Sequence, residues 1–112
     1  MNVEDIRDHV LQKPGVTEGF PFGETVIVFK VSGKVFLLVP LDEATLQFNV
    51  KCDPDHAIEL REEYQDNVLP GYHMNKKHWN TVIAGGRLTN KLLLQFIDDS
   101  YNLVLPKTSK KK

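Results

Sequence analysis

Hydrophobic residues at Val3, Ile6, Val10 and Leu11 fall at the spacing of one helical face, and the polar positions among them include Glu4, Asp5 and Asp8. Acidic side chains suit the positive end of a helix dipole and Asn2 can cap the free amides, so the pattern predicts a helix that Pro14-Gly15 ends. Beyond the rigid aromatic connector Phe20-Pro21-Phe22-Gly23 the period changes. Thr25 to Val31 and Lys34 to Leu41 read as strands, and Ser32-Gly33 between them predicts a tight hairpin turn. From Thr45 to Val50 the alternation is strict, with Leu46, Phe48 and Val50 against Thr45, Gln47 and Asn49, which leaves one sheet face wet.

Asp53-Pro54 starts a second helix, because Asp caps free amides and Pro has none to leave unpaired at the first helical position. Ala57, Leu60 and Tyr64 face the core, and Gln65-Asp66-Asn67 breaks the helix. Lys77 to Ile83 reads as a strand, Ala84-Gly85-Gly86 as a turn, and Thr89 caps a last helix bearing Leu93, Phe96, Ile97, Tyr101 and Val104 at helical spacing. The order α-β-β-β-α-β-α, with hairpins in place of parallel crossovers, implies an α+β domain: an antiparallel sheet covered by helices on one face. A single domain over residues 1–106 and a flexible lysine-rich tail over 107–112 follow.

Composition adds a compartment. The single cysteine, Cys52, rules out an internal disulfide framework, the start of the chain lacks the basic and apolar pattern of a secretory signal, and no apolar run approaches a membrane span. A soluble cytoplasmic protein with no membrane partner is the expectation. Net charge is −1, yet residues 1–67 carry 13 acidic against 6 basic side chains, whereas residues 68–112 carry 2 against 8. That asymmetry suggests a basic surface for an anionic partner, unless solvated charges merely happened to segregate.

The basic half contains Pro70-Gly71-Tyr72-His73-Met74-Asn75-Lys76-Lys77-His78-Trp79-Asn80-Thr81, where cations, imidazoles, aromatics and amides crowd together. Cations neutralise phosphate, aromatic rings stack on bases and amides bond base edges, so the run has the chemistry of nucleic-acid contact. It also carries a resemblance. With Phe20-Pro21-Phe22-Gly23, Val28-Phe29-Lys30-Val31, the Gly33-Lys34 turn and Lys51-Cys52-Asp53-Pro54, it makes the chain resemble the MmcQ/YjbR family of small bacterial proteins, often labelled DNA-binding, with a CyaY-like α+β fold. Asp98-Asp99-Ser100-Tyr101-Asn102-Leu103-Val104 is similar to that family's C-terminal helix, with Asp99 where the family often has His.

The expected ligand is nucleic acid, double-stranded DNA foremost, with Lys76, Lys77 and His78 at the centre of the contact, Asn75 and Asn80 touching sugar or base, and Arg87, Lys91 and the tail adding phosphate contacts. An edge strand guarded by lysines is the bland alternative. Trp79 is expected to be a core anchor rather than a stacking ring. A runner-up is a protein-interaction or small-ligand groove formed by Phe22, Tyr72, His73 and Trp79. No catalytic residue, metal site or cofactor is expected. Cys52 lacks a nucleophile signature and reads as a buried thiol, its Cys-x-x-x-His spacing to His56 lacks a second ligand pair, and no phosphate loop or dinucleotide fingerprint occurs. Sequence alone leaves the oligomeric state open.

Overall fold

A computed structural model describes residues 1–71 and 74–106. The elements run α1 (Val3–Leu11), β1 (Val16–Gly19), β2 (Val26–Val31), β3 (Lys34–Pro40), β4 (Gln47–Lys51), α2 (Pro54–Glu63), β5 (Val68–Pro70), β6 (Trp79–Ile83) and α3 (Asn90–Val104). The six strands form one antiparallel sheet in the order β1-β2-β3-β4-β6-β5. The α+β antiparallel architecture therefore stands. The two edge strands, β1 and β5, are additions to the expected order; each is short, and its pairing with a long neighbour holds it extended.

Local chemistry sets the boundaries. Asn2 and Asp5 form a reciprocal capping box at α1, the Asn2 side chain accepting from the Asp5 amide at 2.9 Å and the Asp5 carboxylate from the Asn2 amide at 3.0 Å. Asp53 and Thr89 cap α2 and α3 through the amides of His56 and Leu92. In the β2–β3 turn, Ser32 and Gly33 both have positive φ, 53° and 78°, as the turn that matches strand twist requires.

One hydrophobic core lies between the sheet and the helices. Ile27, Phe29 and Val31 of β2, Leu37 and Val39 of β3, Phe48 and Val50 of β4, and Val68 and Val82 of the far strands meet Ile6 and Val10 of α1 and Leu93, Phe96, Ile97, Tyr101 and Val104 of α3. Leu60 and Tyr64 of α2 pack against the same cluster. By alternation the residues between these on each strand face the other way.

Asp98 ties α1 to α3, with its Oδ1 2.7 Å from His9 Nε2 and 2.8 Å from Lys13 Nζ. Partial burial pushes the carboxyl up, but hydrogen bonds and charge from Lys13 and His9 outweigh it and hold the pKa below the ordinary 3.8. A depressed folded-state pKa stabilises the protein above the unfolded value, and that stability is lost as pH falls through the folded value. Asp98→Asn is therefore expected to cost on the order of 1 kcal/mol at neutral pH. Urea unfolding of both proteins at several pH values should show a difference that shrinks as pH falls through the folded-state value of the carboxyl.

Candidate functional site

The most polar run of the sequence is a turn, not the start of a strand. Asn75 accepts the Lys77 amide with its side-chain oxygen at 2.9 Å, and its carbonyl accepts the amides of His78 and Trp79 at 3.1 and 3.0 Å. An Asn that bonds the backbone two residues on closes such a turn, so β6 begins at Trp79 rather than at Lys77. Lys76 and Lys77 project from the turn and are exposed; His78 is partly exposed, and its carbonyl accepts the Cys52 amide at 2.7 Å. Tyr72 and His73 lie outside the described residues.

Asn80 is the clearest correction. It points into the helix side of the sheet at 1% exposure, where its Oδ1 accepts from Arg61 Nε at 2.7 Å and its amide nitrogen approaches the Ala57 carbonyl at 3.4 Å. It locks α2 to β6 and is inaccessible to a sugar or base. Arg61 is the residue that sequence reasoning missed: its guanidinium also donates to the Lys76 carbonyl and lies 3.4 Å from the Trp79 carbonyl, so it clamps the lysine turn from behind. Its only sequence signal is a planar donor four residues after Ala57 on the inward side of α2.

The structure divides the cations into engaged and unengaged. Arg7 holds Glu18 through two hydrogen bonds of 2.7 and 2.6 Å, Lys13 holds Asp98 and lies over the Tyr101 ring, and Arg87 lies over Tyr64 while donating to the Glu63 carbonyl. Lys30, Lys34, Lys51, Lys76 and Lys77 form no ion pair among the described residues. Antiparallel register puts all five at one end of the sheet, because β2 and β4 end where β3 and β6 begin. Arg87 and Lys91 follow the opposite end of β6, roughly 14 Å of strand away. They do not join the patch. Three of its five lysines come from the first 67 residues.

Trp79 also falls on an unexpected face. It pairs with Lys51, while its neighbours Asn80 and Val82 point to the helix side, so the indole stands on the face away from the core and is partly exposed. The hydrophobic core is completed without it. Gly71 makes room for it: a Cβ there would come within 2.7 Å of Trp79 Cβ and 3.0 Å of its carbonyl oxygen. Phe22, 68% exposed in the β1–β2 connector, is separated from Trp79 by at least three strand spacings of about 4.8 Å. These two residues do not line one groove.

Cys52 is buried beside His56 and Asp99 around a crevice of about 10 Å³, barely room for one water. Burial, together with the charges of Asp53 and Asp99, pushes its thiol up to about 11. At neutral pH it is a protonated, weakly reactive group. Among the described residues no cluster of three or more His, Cys, Asp or Glu is arranged to hold a metal, and no helix is long and apolar enough to cross a membrane.

The YjbR family model matches residues 11–103. The uncharacterized protein YbdF of Escherichia coli O157:H7 is 39% identical over 90% of this chain and 82% of its own length, and the uncharacterized protein YjbR of Escherichia coli K12 is 29% identical over 90% and 85%. In three dimensions the chain is similar to a Deinococcus radiodurans protein with a DUF419 domain, at a TM-score of 0.89 and 35% identity over 96% of this chain and 80% of that one. A Pseudomonas syringae protein matches at a TM-score of 0.74 and 27% identity, over 93% and 99%.

Proposed function

The chain belongs to the YjbR family, and from the arrangement of its lysines we propose that it is a small cytoplasmic nucleic-acid-binding domain, with DNA as the expected ligand. One observation carries this reading: five lysines without an ion-pair partner gather at one end of the sheet, while the other described Arg and Lys side chains apart from Lys91 are engaged. Edge-guarding explains a lysine on an edge strand, but Lys30 and Lys51 lie on interior strands, where no edge needs protection. Acidic side chains crowd the helices. Glu4, Asp5 and Asp8 lie on α1, Glu59, Glu62 and Glu63 on α2, and Asp98 and Asp99 on α3, all on the helix side. The reading contains no catalytic step and no cofactor.

The test is a titration of Lys76→Ala/Lys77→Ala against oligonucleotides of unrelated sequence at several salt concentrations. We expect weaker binding to all of them and a salt slope reduced by about two, each phosphate contact with duplex DNA being worth about 0.9. Binding equal to that of the parent at moderate salt would refute the assignment of the turn. Binding that hardly responds to salt would instead favour an apolar or aromatic contact.

A further inference from the structure

The sheet face opposite the helices has an unusual composition. One row crosses all six strands as Gly19, Val28, Leu38, Asn49, Thr81 and Leu69, and none of its side chains belongs to the core that the helices share. Its middle is buried, with Val28, Leu38, Asn49 and Thr81 each at most 9% exposed, and the Thr81 hydroxyl and Asn49 Oδ1 are 2.5 Å apart. The next row, toward the lysine turn, runs Thr17, Lys30 and Val35, and then Lys51 and Trp79 on β4 and β6, all at least partly exposed. On the other side stand Val26, Pro40, Gln47 and Ile83. No strand position on this face is acidic. The row of Lys30, Lys51 and Trp79, with a partly exposed indole and two cations that form no ion pair among the described residues, offers a ring and charges to an unpaired base and its phosphates.

We infer that the row of this face nearest the lysine turn is a stacking platform for single-stranded nucleic acid, with a base on Trp79 and the adjoining phosphates on Lys51 to one side and on Lys76 and Lys77 to the other. The inference rests on the nucleic-acid reading above and specifies the strand form. Directly opposed residues on neighbouring strands stand about 5 Å apart at Cβ, so a base on the Trp79 ring brings its phosphate within reach of the Lys51 ammonium. Duplex bases are stacked on one another and cannot lie flat on a protein ring; only unpaired bases can use a sheet-borne aromatic in this way. The path has a second end. Three strands from Trp79, a groove of about 430 Å³ opens between β1, β2 and the connector, lined by Thr17, Phe20, Pro21, Val28 and Lys30. Phe20 is 50% exposed there, and the acidic residue at the groove, Glu18, has its carboxylate held by Arg7. A second aromatic and cation thus stand farther along the sheet, with Lys30 two strand spacings, about 10 Å, from Lys51.

The test uses the full chain and follows both its intrinsic fluorescence, which Trp79 alone among the tryptophans supplies, and the anisotropy of labelled eight-nucleotide DNA and RNA single strands and the matching DNA duplex at low salt. The expected result is quenching of Trp79 by single strands and affinity for them at least tenfold above that for the duplex, the tighter of DNA and RNA identifying the natural strand. Trp79→Leu should weaken single-strand binding about tenfold, and Lys51→Ala with Lys30→Ala, both at solvent-facing positions, should weaken it comparably while leaving the unfolding midpoint near that of the parent. Duplex affinity equal to or above single-strand affinity with unchanged Trp79 emission would overturn the platform and leave the broader reading intact. Absence of binding by any oligonucleotide at low salt would overturn both.

Discussion

Ser100→Ala is expected to destabilise the protein by about 2–6 kcal/mol, a large effect for the loss of one oxygen atom. Ser100 is fully buried on α3; its hydroxyl donates to the Phe36 carbonyl at 2.6 Å and accepts the Lys51 amide at 2.9 Å. The reason lies in the sheet. The β3–β4 ladder is only two residue pairs long, Leu37 with Val50 and Leu38 with Asn49, and β3 has an irregularity where Lys30 shifts from the register of Phe29. At the next position Phe36 and Lys51 would exchange a ladder bond, and the serine hydroxyl stands between them instead. Alanine leaves one donor and one acceptor buried without a partner, each costing about 1–3 kcal/mol. Urea unfolding measures the loss, and hydrogen exchange should show the Lys51 amide losing protection first. A cost below about 1 kcal/mol would mean that the two strands close up and bond directly, and that the serine is dispensable.

Arg61→Ala should cost about 2–3 kcal/mol, the range for hydrogen bonds to a charged group whose buried partner is then abandoned. The partner is Asn80, and the same guanidinium donates to the Lys76 carbonyl behind the lysine turn. Arg61→Lys should recover little, because a single ammonium cannot present the planar fork that reaches the side-chain oxygen and the backbone together. This substitution has a functional readout as well. It removes no residue from the proposed ligand surface, yet it should raise exchange of the amides of residues 75–79 and weaken nucleic-acid binding. Unaltered exchange in that turn would show that Asn75 alone suffices to hold it.

Several features were legible in the chain because they depend on neighbours in sequence. The caps at Asn2, Asp53 and Thr89, the positive-φ turn at Ser32-Gly33 and the inward stripe of Leu93, Phe96, Ile97, Tyr101 and Val104 all follow from local chemistry and periodicity. So did the alternation of β4, whose Gln47 and Asn49 point away from the helices, but the expected wet face did not follow, since Asn49 is buried between Leu38 and Thr81 of the neighbouring strands. The edge strands β1 and β5 had no such signal, since four and three residues bounded by Gly and Pro are extended only because β2 and β6 offer them a ladder.

The candidate site divides along the same line. That lysines, an indole and amides crowd between residues 75 and 80 is a property of the sequence, and so is the surplus of cations in the second part of the chain. Which of them act together was decided by register. Pairing of β4 with β6 set Lys51 beside Trp79, the β2–β3 hairpin brought Lys30 and Lys34 to the same end, and the length of β6 carried Arg87 and Lys91 away from it. The parity of one strand likewise sent Asn80 into the interior and Trp79 out of it, because a shift of one residue along a strand exchanges its two faces. Sequence thus determined the chemistry present and the local elements that carry it. Only the tertiary pairing, in which residues far apart in the chain become neighbours about 5 Å apart, decided which side chains could meet a single ligand.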